Sequence, residues 1–401
     1  MEPRYYSTEE KDAAVPVLPD PLLQDDGSVI RNASEWELHQ RAKILHLFEK
    51  YEYGTILSRP DMMRFELLSH RKDALNGTAE RKEIRIHCAM NNGKSIAFDL
   101  LLYLPLQRNG AVPAFLGLNF KGNHNASPEE DAAITGWMDG APVEPGRSKQ
   151  SYRNDFENII RRGYASATIC YHDIHPDVTG HTAESVFRLF FEPEEYGNIG
   201  KKHSIIGAWA WGLSRALDCL EHESAIDARR VAVYGHSRLG KTALWAGATD
   251  PRFRMVISND SGCGGAALHK RRYGENLSLH FQWHLDRKMP VWFVDAAEQF
   301  VFNEEKMPFD QHELLALIAP RPLAVGNAAE DLVADPRGSF LACCAASRIY
   351  ALYGAEGVGC GEMPPVGSGC GKEIWYHCRP GDHELLPEDW RWYLDFADRY
   401  L

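Results

Sequence analysis

The chain has 401 residues, 44% of them hydrophobic and 25% charged, with 10 Trp, 16 Tyr and 17 Phe. That is the composition of a globular protein able to bury a large core. A net charge of −12 argues against nucleic acid as a partner, because nucleic acid needs a Lys/Arg field. No stretch approaches the ~18 apolar residues of a membrane span, so no membrane partner is expected. The start, Met1-Glu2-Pro3-Arg4, lacks a charged region followed by an apolar one, which leaves a cytoplasmic site or an export signal outside this sequence. Nine cysteines cannot all pair, and none stand at a metal-binding CxxC spacing. Cys343 and Cys344 lie in an apolar run and read as buried thiols, while Cys360 and Cys370 flank a Gly/Pro-rich loop and could be bridged.

Residues 1 to about 60 read as an irregular arm followed by a helix, packed on a main domain of residues 61–401. Ser34 is a good N-cap, and Ile44, Leu45, Leu47 and Phe48 then recur with helical spacing. Glu83–His87 and Ala97–Leu104 flank the turn Asn91-Asn92-Gly93-Lys94, which predicts an antiparallel hairpin. Ala114–Phe120 and Tyr164–Tyr171 are strand-like. Over residues 203–222, Ile206, Trp209, Leu213, Leu217 and Leu220 form one apolar helical stripe. Arg230–Tyr234, Met255–Ser258 and Pro322–Val325 are short, apolar and β-prone. Strands that alternate with helices imply an α/β fold with a mostly parallel sheet covered on both faces.

One segment carries chemistry. Val231–Tyr234 runs through Gly235-His236-Ser237 into a helix with Ala243, Leu244 and Trp245. A serine on a tight strand-to-helix turn projects its hydroxyl above the sheet, and the amides after it can face an oxyanion. Leu239 stands where the second glycine of G-x-S-x-G belongs, and Gly240 follows one residue later. The bland alternative is a serine that merely caps a helix. A serine nucleophile needs a histidine base and an orienting acid, in the chain order Ser, acid, His. His383 fits, in a loop after the strand Ile374–Cys378 and before the final helix; His377, inside that strand, reads as a core residue. Two acids are open: Asp260 ends the strand Met255–Ser258, and Asp331 follows Pro322–Val325.

Gly235-His236-Ser237-Arg238-Leu239-Gly240-Lys241, with Asn259–Leu268, Gly117–His124, Asp310–Pro322, Ala334–Gly338 and Arg379–Glu384, resembles the bacterial glucuronoyl esterases of carbohydrate esterase family 15. The resemblance runs from about residue 18 to the C-terminus and implies an α/β-hydrolase fold. It implies hydrolysis of esters that join (4-O-methyl)glucuronic acid on xylan to lignin alcohols, with no metal and no cofactor. By position, Ser237 matches the nucleophile, His383 the base, Arg238 the oxyanion-hole residue and Lys241 the lysine that holds sugar hydroxyls. Glu275 falls where bacterial relatives have an acid near the sugar. Asp260 stands where fungal members carry a longer Glu, and bacterial members can place the acid where Asp331 lies, which favours Asp331. Val333 replaces a Trp that lines the sugar site in relatives, a place Trp283 or Trp292 could fill. His236 excludes the disulfide that fungal members make just before the serine. The resemblance further implies action on glucuronoxylan or lignin–carbohydrate esters and a secreted or periplasmic site; a monomer is expected. Its rivals are an esterase of other acylated carbohydrates or small esters, and a catalytically weak carbohydrate-binding protein.

Overall fold

The computed structural model describes residues 7–287 and 291–401. Its main sheet has ten strands: β1 (Met62–Asp73), β2 (Ala79–Ala89), β3 (Ser95–Pro105), β4 (Val112–Asn119), β5 (Ala165–Cys170), β6 (Ile226–His236), β7 (Met255–Asn259), β8 (Leu323–Ala328), β9 (Ser368–Gly371) and β10 (Ile374–Arg379). Side by side they run β1-β2-β3-β5-β4-β6-β7-β8-β10-β9. From β5 across to β10 the neighbours are parallel. The outer strands pair antiparallel. The expected hairpin is β2–β3, closed where Met90 N donates to Lys94 O. The sequence does not announce β1 because its register shifts between Leu67 and Ser69 and most of it is exposed, which breaks the apolar alternation.

The parallel strands are buried on both faces, so they read as apolar runs rather than alternating ones. Along β4, Ala114, Leu116 and Leu118 enter the larger core and Phe115 the smaller one behind the sheet. The larger core is covered by α2 (Ile205–Leu220), α3 (Arg238–Thr249), α5 (Gln311–Ala316) and α6 (Pro336–Leu352). The smaller is closed by α7 (Pro387–Tyr400), through Trp390, Tyr393, Leu394 and Phe396. Each such side chain contributes roughly 1.5–3 kcal/mol by leaving water. Two further helices of eleven residues are α1 (Arg41–Tyr51) and α4 (Leu277–Arg287). Helix α2 starts at a Ser204 cap whose side chain accepts from Gly207 N, and all its residues but Gly207 and Ser214 are buried. It is thus a helix buried on every side, not the single-striped one its spacing suggests.

The helical run that leads into α1 begins at Ala33, one residue before the expected cap Ser34. Asn32 Oδ1 accepts from Glu35 N at 3.0 Å, and Glu35 reaches back to Arg31 N at 2.8 Å, a reciprocal cap that satisfies two amides. The arm ahead of it lies along the loop before α4: Gly274 N donates to Ser7 O, and Ala14 N to Arg271 O. Cys360 and Cys370 are disulfide-bonded. Cys343 is buried and Cys344 half-buried, both as free thiols.

Candidate active site

Strand β6 delivers Ser237 to the carboxyl end of the sheet, where parallel α/β folds carry their sites. Ser237 has φ +58° and ψ −130°, a conformation side chains rarely adopt. It persists because the flanks fix it: Ser237 N donates to Asn259 O at 2.9 Å, and α3 starts at Arg238. Gly235 is obligatory there, since a Cβ would sit 2.0 Å from Leu239 O. Gly240 packs against β7, where a Cβ would stand 3.1 Å from Asn259 O. The displaced second glycine therefore still serves close approach of helix and sheet. The first amides of α3 have no intrahelical acceptor and are available to an anion.

His383 Nε2 lies 2.9 Å from Ser237 Oγ, and His383 Nδ1 lies 2.5 Å from Asp331 Oδ2. The three side chains come from the ends of β6, β8 and β10 and form one continuous row. Asp260 does not join it. Its Oδ1 accepts from Ala328 N at 2.7 Å, and its Oδ2 lies 3.7 Å from the buried guanidinium of Arg379. Burial, with Asp331 and Asp389 nearby, pushes the Asp260 carboxyl well above its ordinary range. Asp260, Asp331 and His383 bring three ligand-type atoms within 4.8 Å of one another. Of these, Asp260 has the Arg379 guanidinium beside it. His377 is buried and pairs with Asp389 at 2.9 Å, in a core cluster that Arg379 completes.

On the other side of Ser237, Arg238 pairs with Asp177, and its guanidinium lies over the Trp292 ring, 4.5 Å from the centroid. Trp292 Nε1 donates to the second Asp177 oxygen at 2.8 Å. Lys241 is buried, and its ammonium donates to Ser261 O, Cys263 O and Glu275 Oε2 at 2.8, 2.6 and 2.9 Å. Glu275 keeps 11% of its side-chain surface exposed against 3% for Lys241, so the carboxylate is the more accessible of the pair. Burial would raise the Glu275 carboxyl, but Lys241 and His280 hold it far below the usual carboxylate range. Val333 O accepts from Glu275 N at 2.7 Å, so position 333 meets Glu275 through its backbone. Trp283 is half-buried against His280, with ring centroids 5.6 Å apart.

Asp177 and His280 were not singled out by sequence. Asp177 lies 61 positions from its partner Arg238, in irregular chain where no periodicity marks it. His280 sits on α4 among apolar residues and reads as a core histidine.

A strained serine at the end of a parallel strand, followed in chain order by Asp331 and His383, defines the α/β-hydrolase class. Residues 194–354 match the family model for fungal glucuronyl esterase. The carbohydrate esterase MZ0003 of an unknown prokaryotic organism is 37% identical, across 100% of this chain and 93% of that protein. A glucuronoyl esterase from Solibacter usitatus superposes with a TM-score of 0.90 at 37% identity, covering 97% of this chain and 99% of that one. A promiscuous family 15 esterase from a marine bacterial metagenome gives 0.88 at 36% identity, with 99% and 100% covered. The chain belongs to carbohydrate esterase family 15, the glucuronoyl esterases.

Proposed function

We propose that this chain hydrolyses glucuronic acid esters, among them those joining (4-O-methyl)glucuronic acid on xylan to lignin alcohols, through an acyl-enzyme on Ser237. The observation that carries this reading is the unbroken row Ser237–His383–Asp331, at 2.9 and 2.5 Å, beside the buried Lys241–Glu275 pair. His383 takes the Ser237 proton as Oγ attacks the uronate carbonyl, and Asp331 stabilises the imidazolium. The oxyanion is held by the first amides of α3 and by Arg238, whose charge Asp177 and Trp292 keep in place; one such donor is worth about 3–4 kcal/mol. His383 returns its proton to the departing alcohol, and water then attacks the acyl carbonyl to free the uronate and Ser237. With all three Lys241 donors engaged, Glu275 is the group that accepts from sugar hydroxyls, and Lys241 holds it. An enzyme for this polymer ester acts outside the cytoplasm, and the Cys360–Cys370 bridge supports an oxidising compartment.

Benzyl glucuronate and p-nitrophenyl acetate separate this reading from a general esterase. The glucuronate should be preferred in kcat/KM by about a hundredfold, what two charge-assisted contacts provide. Lys241→Ala should raise KM for the glucuronate by roughly tenfold while costing the acetate far less. Equal kcat/KM for both substrates would favour the broader esterase, a reading to which Val333, with no ring to stack on a sugar, lends support.

A further inference from the structure

We propose that His280 is a positioning residue for uronate recognition: it holds the second oxygen of Glu275 and braces Trp292. The inference rests on Glu275 facing the sugar, as argued above, and goes on to say what fixes its orientation.

Glu275 Oε2 is taken by Lys241, which alone would leave the carboxylate free to turn about that single contact. His280 Nε2 lies 2.8 Å from Glu275 Oε1, an ion-pair contact bent from a linear hydrogen bond. Contacts on both oxygens, from Lys241 and from His280, fix the carboxylate plane. A carboxylate offers about four lone-pair sites, so two remain for sugar hydroxyls. The imidazole is itself held on every side. Its ring packs edge-on against Trp283, Trp292 and Phe293, with centroids 5.6, 5.0 and 5.1 Å away. It also meets the Cys263 thiol. Cys263 in turn lies 3.4 Å from His269 Nδ1, and His269 Nε2 lies 3.0 Å from Glu52 Oε1. Gln311 Nε2 donates to both Glu52 oxygens, at 3.1 and 2.9 Å.

A row of charged and polar groups thus runs from Glu52 in the core through His269, Cys263 and His280 to Glu275 and Lys241. Burial works against a charged imidazole at His280, yet Glu275 raises its pKa above the ordinary value. Burial likewise opposes charge on His269, and Cys263 and Glu52 outweigh it. Through Trp292, which lies under the Arg238 guanidinium, the same imidazole joins the sugar side of the cleft to the oxyanion side. A core histidine needs none of this. It would be satisfied by one backbone carbonyl, and it would not need the Glu275 carboxylate.

The test compares His280→Leu, His280→Gln and Glu275→Gln in the whole chain, with benzyl glucuronate and p-nitrophenyl acetate as substrates. Thermal unfolding checks that each variant is folded. Glu275→Gln and His280→Leu should each lower the glucuronate-over-acetate ratio of kcat/KM by roughly tenfold, chiefly through KM, the size of one charge-assisted contact. His280→Gln, which keeps an N–H donor of similar reach, should recover most of that ratio. If Glu275→Gln lowers the ratio and folded His280→Leu does not, His280 is only a core residue and the inference is overturned. It is equally overturned if His280→Leu lowers kcat/KM on both substrates alike, or if His280→Gln recovers nothing. If Glu275→Gln leaves the ratio unchanged, the sugar-facing reading of Glu275 fails, and the inference falls with it.

Discussion

Two carboxylates stand at the ends of neighbouring strands, Asp260 after β7 and Asp331 after β8, and their partners differ in kind. Asp260 is turned into the backbone: it has φ +43°, its N donates to Gly326 O, and its carboxylate accepts from Ala328 N. It stitches β7 to β8 and lies beside Arg379, which also binds Asp389. Asp331 sits in the loop past β8, where Oδ1 faces Ala334 N at 3.3 Å and Oδ2 is on His383. The difference is one of reach and company. An acid flush with the strand end satisfies main-chain amides, while an acid on a short loop beyond it can meet a histidine arriving from the next strand. We therefore assign Asp331 the orienting role and Asp260 a structural one.

The largest effect expected is the loss of the nucleophile, which sets the scale on which both acids are read. Ser237→Ala should cut kcat on benzyl glucuronate by roughly 10⁴-fold or more with the fold intact. Activity above a few per cent would dissolve the whole row, and with it any meaning in choosing between the acids. Next comes the Asp260 side. Arg379 is fully buried and lies between Asp260 and Asp389, so Arg379→Met should destabilise the fold by about 3–5 kcal/mol, the cost of stranding buried charge. Urea unfolding at neutral pH measures it, and an unchanged midpoint would remove the structural reading of that cluster.

The smallest effect depends on pH. Because burial raises the Asp260 carboxyl, its contribution to stability is complete below its unfolded pKa and is lost as pH rises through the folded value. Asn cannot ionise. Asp260→Asn should therefore gain a few degrees in Tm relative to the unmodified chain as pH rises above about 5. Parallel Tm curves for the two proteins would show that Asp260 carries no such burden.

Much of this site could be read in advance because its parts are tied to local pattern. An apolar strand, a glycine, a serine and a helix in direct succession mark Ser237. A Pro-Gly turn between the last strand and the last helix marks the loop that brings His383 within 2.9 Å of Ser237. The parallel strands are legible because they are buried on both faces and their apolar runs are dense, while β2 and β3 are legible through the Asn-Asn-Gly-Lys turn between them. Strand β1, exposed and bulged, and β9, Ser-Gly-Cys-Gly, carry no such signal. Asp177 and His280 escaped for another reason: each makes its contacts with other elements, Arg238 and Trp292 for one, Glu275 and Trp292 for the other. Nothing in their own neighbourhoods distinguishes them from a loop acid or a core histidine. The N-cap shows the same limit at small scale: Ser34 has the right chemistry, but Asn32 has the geometry.

The choice between the two acids is decided by replacing each with its amide, which keeps the shape but cannot stabilise an imidazolium. Steady-state kcat on benzyl glucuronate should fall at least about a hundredfold for Asp331→Asn and less than about tenfold for Asp260→Asn. The reverse ranking, with Asp331→Asn near full activity and Asp260→Asn inactive while folded, would contradict the assignment and move the orienting acid to the end of β7.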